Sequence, residues 1–310
     1  MGCPMNGYVM GIDGGGSNLR VVVATPDLQV VGESHAGTVN PSVIGRETAA
    51  GLIRQHMWAA ITNAHLQPAD IRAVCIGVAG ASADHSADWL CEVVGPITPN
   101  AKIRPSADQE IALVGAHGKR EGILILAGTG SVAYGVNPAG QAAAVGGWGY
   151  LLGDEGSGYW LGMSALRAIS QASERRAAKT TLTESVLHEL NLEKPRDLIR
   201  WLYAQPRNAE IAQLAPLIIQ QADAGDAVAN CLVGEAIQHL AGHVTALRDI
   251  LNFPDAPIAF AGGLLTHPNA LSSGLGRHLQ LPAIPVPLYP PVIGAVLLAL
   301  DTLVQSEKES

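Results

Sequence analysis

The sequence predicts an α/β protein of two similar domains facing a cleft. Three observations support this. An apolar run of strand length that meets a glycine-rich, hydroxyl-bearing turn occurs twice, at Tyr8 to Arg20 (YVMGIDGGGSNLR) and at Gly122 to Val136 (GILILAGTGSVAYGV). Each opens a set of three short extended runs: Tyr8–Ile12, Leu19–Ala24 and Gln29–Ser34 first, then Leu124–Ala127, Val132–Val136 and Gln141–Val145. Strand-like runs also alternate with stretches of helical period, the pattern of an α/β chain. At 310 residues there is room for two cores.

Taken in order, the third run is followed by a helix from Gly45 to Leu66 that ends before Pro68. Arg72 to Val78 reads as a buried strand stopped by Gly80, Asp84 to Val94 as a helix, Lys102 to Pro105 as a short strand, and Asp108 to His117 as another helix. After the second set of strands a helical stretch runs from Ser157 to Leu251, broken near Pro195, Pro206, Pro216 and Gly225. Within it, SERRAAK (Ser173 to Lys179) reads as a solvated helix face. Ile258 to Ala261 is a strand ending at Gly262-Gly263, and a proline-rich passage (Pro282 to Pro291) precedes a last helix from Ile293. The expected domains are 1–118, with the helix 292–310 packing back on it, and 119–291 with a helical insertion.

The two turns point to a phosphate-bearing ligand. Glycine leaves backbone N–H groups uncovered and permits positive φ, which suits a loop wrapping a phosphate. Ser17 in the first turn and Thr129 and Ser131 in the second add hydroxyl donors. Two such turns far apart in the chain suggest two halves closing on one polyphosphate. A lone DGGGS is otherwise an ordinary surface turn. Gly128, Gly130 and Ala133 have the spacing of the dinucleotide fingerprint, but Val132 to Val136 is extended and runs into a turn, NPAG, instead of opening a helix. A Walker-type loop is absent: Gly118-Lys119 lacks the earlier glycine and is followed by Arg120 where Ser or Thr belongs.

Composition narrows the rest. Apolar residues make up 48% and charged ones 15%, as in a well-buried globular protein. With 27 acidic against 19 basic residues and a net charge of −8, no basic surface suggests a nucleic-acid partner. The four cysteines (Cys3, Cys75, Cys91, Cys231) lack metal spacing and read as reduced, mostly core thiols of a cytoplasmic protein. The ten histidines show no metal-like spacing; His85, His117 and His267 read as surface or loop residues. The start of the chain is not a signal peptide, and Asn6 stands where a myristoylation motif wants Ser or Thr. The apolar stretch Val292 to Leu300 is too short to span a bilayer, so no membrane is expected.

Five segments together resemble the actin-like ATPase superfamily, with its ribonuclease H-like domains. GIDGGGSNLR looks like the first phosphate loop, CIGVAG (Cys75 to Gly80) like the first connecting element, and LAGTGS (Leu126 to Ser131) like the second phosphate loop. FAGGLL (Phe260 to Leu265) resembles the adenosine loop and PPVIGAVLLA (Pro290 to Ala299) the last connecting helix. Within the superfamily, GGWGYLLGDEGSGYW (Gly146 to Trp160) is a long match to the sugar-binding segment of the N-acetylglucosamine kinase branch of the BadF/BadG/BcrA/BcrD-type ATPase family. Asn40 and Asp108 fall where that family places a sugar contact and a catalytic carboxylate.

The resemblance implies ATP and Mg²⁺, and transfer of the γ-phosphoryl group to the 6-hydroxyl of N-acetylglucosamine. Gly14, Gly15, Gly16 and Ser17 would hold the phosphates with Gly128, Thr129, Gly130 and Ser131. Asp13 would hold the metal through water; its bland alternative is a turn-capping aspartate. Asp108 would be the general base, the alternative being the N-cap of the helix it opens. Asn40, Asp108, Gly147, Trp148, Gly149 and Asp154 would meet the sugar, Trp148 being otherwise a core aromatic. Glu155 and Ser157 would shape that turn and cap the next helix, with Glu155 behind the contact layer. Adenosine would rest between Gly262-Gly263 and the helix around Ala222.

Where mammalian members carry an aromatic residue two positions after the sugar-binding Asn, this chain has Pro41 and Ser42, which leaves room for a bulkier substituent. N-acetylmuramate therefore stays open as a substrate. Glucosamine, although its ammonium would call for an extra carboxylate that the neutral GGWG stretch does not offer, stays open too. So does a different class in the same family, the ATPase that activates a 2-hydroxyacyl-CoA dehydratase through a shared iron–sulfur cluster, although neither turn has a cysteine nearby. The helical second half offers surfaces for a homodimer.

Overall fold

The computed structural model describes residues 7–16, 18–81 and 83–309. Ser17 and Cys3 lie outside the described residues, as does the side chain of His85. The chain divides into two compact units, 1–121 with 287–310, and 122–286.

The first unit opens with β1 (Tyr8–Gly14), β2 (Asn18–Ala24) and β3 (Val30–Gly37). There follow α1 (Pro41–Ile44), α2 (Arg46–Asn63), β4 (Ile71–Val78), α3 (Ala83–Val94), β5 (Lys102–Ser106) and α4 (Asp108–His117). The sheet runs β3-β2-β1-β4-β5, with β1 antiparallel to β2 and parallel to β4. β1 and β4 read as near-continuous apolar runs because both of their faces are covered. Met10 and Ile12 of β1 and Val74 and Ile76 of β4 pack with Ile53, Met57 and Ile61 of α2 and Leu90 and Val93 of α3. Pro105 is tolerated in β5 because that strand is an edge. Since β1, β4 and β5 run parallel, Asp13, Val78 and Ser106 end on one rim of the sheet. In open α/β sheets that rim is where ligands bind.

The second unit repeats the plan. β6 (Gly122–Ala127), β7 (Ser131–Val136) and β8 (Ala142–Gly146) form a meander. Then come α5 (Gly158–Ser173), α6 (Leu182–Glu189), α7 (Asp197–Tyr203), α8 (Asn208–Ala212), α9 (Ala215–Asp223) and α10 (Ala227–Ile250). β9 (Ile258–Ala261) and α11 (Ala270–His278) complete it. The order β8-β7-β6-β9, with β6 parallel to β9, matches β3-β2-β1-β4 strand for strand. Ile123, Ile125 and Phe260 of the sheet pack with Leu161, Ile218, Val233 and Leu240 of the helices.

The last helix, α12 (Pro291–Glu309), packs in the first unit against α4, β1 and β4. Gly294 meets the backbone of Ile111 and Gly115, so α12 and α4 cross at backbone contact and any larger residue there would separate them. Among the described residues, no helix is long and apolar enough to cross a membrane.

The expected break near Pro216 is present: α8 ends at Ala212, and Pro216 lies in the first turn of α9, where a missing N–H costs nothing. Other details differ from the sequence-based expectation. Only Ser173 of SERRAAK is helical; the remainder is an exposed turn with Arg175 at φ 59°, because no apolar residue larger than alanine there gives a helix a face to bury. The helix α11, absent from that expectation, is announced by a reciprocal cap between Asn269 and Ser272. Of the described cysteines, only Cys75 is fully buried and Cys231 is exposed.

Candidate active site

In the first unit, the rim of the sheet gathers carboxylates. Asp13, near the end of β1, pairs across the hairpin with Arg20 of β2. Asp108 is the first residue of α4, directly after β5. Burial, and then the charge of Asp108, push Asp13 up to about 6, against the pull of Arg20. Burial also raises Asp108, against a hydrogen bond from the Gln109 N–H. The N-cap of α4 is Ala107, so Asp108 is not the cap. It stands where the free N–H groups and positive dipole end of α4 favour an anion.

Asn40 reaches the same rim. Its Oδ1 accepts the Ser42 N–H at 2.9 Å, and its own N–H donates to Thr38 Oγ1 at 3.1 Å. Its amide lies against Gly80, just beyond β4, where any Cβ would fall on it. Val39, just before Asn40 in the chain, packs on Gly14 beside Asp13; a Cβ at Gly14 would lie 2.8 Å from Val39 Cγ2.

The backbone of the two turns differs from the expectation in one respect. None of Gly14, Gly15, Gly16, Gly128 and Gly130 has a positive φ. Gly14 admits Val39, and Gly130 admits Asp154, whose Oδ2 would be 2.8 Å from a Cβ there. Around Gly16 and Gly128 no atom of the described residues lies within 4 Å of such an atom, so a side chain there would meet open space.

In the second unit, the turn after β6 is joined to the segment between β8 and α5. The Gly158 N–H donates to Gly128 O at 2.8 Å and the Tyr159 N–H to Thr129 O at 3.2 Å. Ser131 Oγ, expected as a free donor, is buried and donates to Glu155 O at 2.8 Å; its N–H faces Asp154 Oδ1 at 3.5 Å. The Gly128 N–H is spent on Gly130 O at 2.9 Å. Among the described residues, none takes the N–H groups of Thr129 and Gly130. Asp154 has φ 60°, and burial raises its carboxyl against the Ser131 N–H, with Glu155 adding to the rise. Trp148 is 76% exposed, which removes its reading as a core aromatic. Ser157 caps α5, accepting the Trp160 N–H at 3.1 Å.

Ala222 and Gly263 line neighbouring cavities of about 600 and 250 Å³ that share Asp223, Pro268 and Asn269. Gly262, with φ 85°, touches the backbone of Ala127 and so brings the end of β9 against the second turn.

Two contributors are not evident from the sequence alone. Arg20 sits inside the quoted GIDGGGSNLR, and assuming a tight hairpin would have set it opposite Asp13. Gly80 sits inside CIGVAG, but that it makes space for Asn40 depends on a contact between distant segments. Among the described residues, no three His, Cys, Asp or Glu side chains group as a metal cage. A pair such as Asp13 and Asp108 suits Mg²⁺, which takes one or two carboxylates and keeps water for its other positions.

Two α/β units of matching topology, each with a glycine turn at its strand ends, make an actin-like architecture. The chain belongs to the BadF/BadG/BcrA/BcrD ATPase family, whose model matches residues 10–299. It is 32% identical over 277 residues to the N-acetylmuramic acid/N-acetylglucosamine kinase of Clostridium acetobutylicum, covering 88% of this chain and 90% of that protein. It is 29% identical to the N-acetyl-D-glucosamine kinase of Dictyostelium discoideum, over 94% and 98% of the two chains. A solved structure from Chromobacterium violaceum, provisionally named an N-acetylglucosamine kinase, superposes with a TM-score of 0.72 at 26% identity, over 95% of this chain and 99% of that one. A ROK family glucokinase from Streptomyces griseus, 16% identical, shares the fold with a TM-score of 0.60 over 95% of this chain and all of that one.

Proposed function

We propose that this protein is an ATP-dependent amino-sugar kinase that phosphorylates the 6-hydroxyl of N-acetylglucosamine. The observation that carries the reading is the pair Asp13 and Asp108, two partly buried carboxyls, both shifted upward by desolvation, on the strand-end rim of the first sheet. Phosphoryl transfer needs little covalent help from protein; it needs a positioned nucleophile and charge stabilisation. Asp108 accepts the proton of the sugar hydroxyl as that oxygen bonds to the γ-phosphorus and the bond to the β-phosphate oxygen breaks, leaving ADP. A carboxyl raised by burial is a better base near neutral pH than an exposed one.

Asp13 would hold the Mg²⁺ through water, and the ion would supply neutralisation of charge on the phosphates. The backbone at Gly14 to Ser17 and at Gly128 to Ser131 binds phosphate oxygens, with the open N–H groups of Thr129 and Gly130 the strongest donors of the second turn. Asn40 and Asp154 take sugar hydroxyls, Trp148 and its flanking Gly147 and Gly149 cover the ring, and the cavities beside Ala222, Gly262 and Gly263 take adenosine. The protein works in the cytoplasm as a homodimer.

N-acetylmuramate is a second substrate on this reading. It is supported by Pro41 and Ser42 in place of an aromatic wall, and by a relative named for both sugars. The test compares kcat/KM for N-acetylglucosamine, N-acetylmuramate, glucosamine and glucose by sugar-dependent ADP release, with phosphorus NMR of the product. N-acetylglucosamine is expected to lead and to give a 6-phosphate. ADP release that ignores the sugar, or iron bound to the protein, would overturn the reading in favour of the activator class.

A further inference from the structure

One helix supports the whole segment between β8 and α5. A Cβ at Gly146 would lie 2.9 Å from His243 Cε1, and one at Gly156 would lie 2.8 Å from Leu240 Cγ, so both ends of the segment rest on α10. Trp160 meets His239 edge-on, ring centres 5.3 Å apart. Between these supports the backbone is left-handed at Gly146, Gly147, Gly149, Asp154 and Gly156, a run of conformations that needs fixing from outside. Against this run, His243 presents a buried Nδ1 with no hydrogen-bond partner among the described residues. A buried polar atom without a partner is unfavourable, and its persistence asks for a use. Metal binding does not supply one, since no ligand cluster forms among the described residues.

We propose that His243 is a positioning residue: its Nδ1 is reserved for a backbone group of the Gly146–Gly149 turn in the conformation that grips the amino sugar. Burial holds His243 below its ordinary pKa, against the charge of Glu155 and helped by His239, so the ring is neutral and offers one donor and one acceptor nitrogen. Pairing occurs only when the sugar is held, so its free energy adds to sugar affinity and not to the stability of the empty fold. The inference rests on the reading of residues 146–157 as the sugar segment.

The experiment uses His243→Leu, which fills the space without a polar atom, and His243→Asn, which keeps one near the Nδ1 position. Steady-state kinetics and Tm are measured for both, beside Asp154→Ala. His243→Leu should keep or raise Tm, leave KM for ATP unchanged, and raise KM for N-acetylglucosamine about tenfold, the value of one net hydrogen bond. His243→Asn should recover most of that loss. An unaltered sugar KM in His243→Leu, or an equal defect in both variants, overturns the proposal while Asp154→Ala still shows a sugar defect. If Asp154→Ala also keeps its sugar KM, the sugar reading of the segment falls as well.

Discussion

The two glycine turns occupy the same place in the same strand arrangement, yet their surroundings differ. After β1, the turn stands beside a pair of carboxyls that repel each other, with one arginine opposing the strain. After β6, the turn is fastened to a neighbouring segment by backbone bonds, and its serine is spent on a carbonyl. A duplicated frame thus carries two glycine turns at matching places, and the residues around them differ. On the proposed reading, the first turn serves a cation and a proton, and the second holds phosphate beside the sugar segment.

Breaking either side should give a distinct signature. The largest effect is expected from Asp108→Asn, which should lower kcat by about 10²- to 10⁴-fold while leaving both KM values and Tm near wild type. A loss of stability without that rate defect would return Asp108 to a structural role. On the other side, Gly130→Ala puts a methyl group against the Asp154 carboxylate, whereas Gly16→Ala meets nothing. The first should lower kcat/KM for the sugar by about 10²-fold, as expected for a displaced charged hydrogen-bond partner, and the second should alter only KM for ATP. Equal effects of both on sugar KM would erase the contrast.

The carboxyl pair also sets a pH dependence. Asp13 titrates near 6 in the fold against an ordinary 3.8, so the folded chain holds the extra proton between those values. Its contribution to stability is therefore fully present below the lower value and is lost as pH rises through about 6. Thermal melts without metal should show this decline in the wild type and not in Asp13→Asn, and magnesium affinity should fall as pH drops below 6. The smallest effect belongs to Arg20→Met. Removing the one cation that lowers Asp13 should move the midpoint of that pH dependence upward by less than one unit, roughly an exposed-pair energy.

Much of this is legible in the sequence. The strand ends at Asp13 and Ala127 follow from apolar runs meeting glycines, and the helix opened by Asp108 from its period. What stays hidden depends on contacts between distant segments. The gap at Gly80 that seats Asn40, the burial of the Ser131 hydroxyl and the support of Gly146 by His243 join residues whose local sequence carries no sign of one another. The helical half misleads in one place for a local reason. The polar turn after Ser173 has the composition of a solvated helix face, whereas the break near Pro216 falls where proline is tolerated, at the first turn of a new helix.

The central claim is that the strained carboxyls of the first unit receive the charge of the metal-bound nucleotide. Carbon-13 NMR of labelled aspartate, assigned with Asp13→Asn, reads this directly. Asp13 should titrate near 6 in the free protein and fall to the ordinary aspartate range or below when magnesium and a non-hydrolysable ATP analogue are added. A titration that the metal–nucleotide complex leaves unmoved would contradict the account.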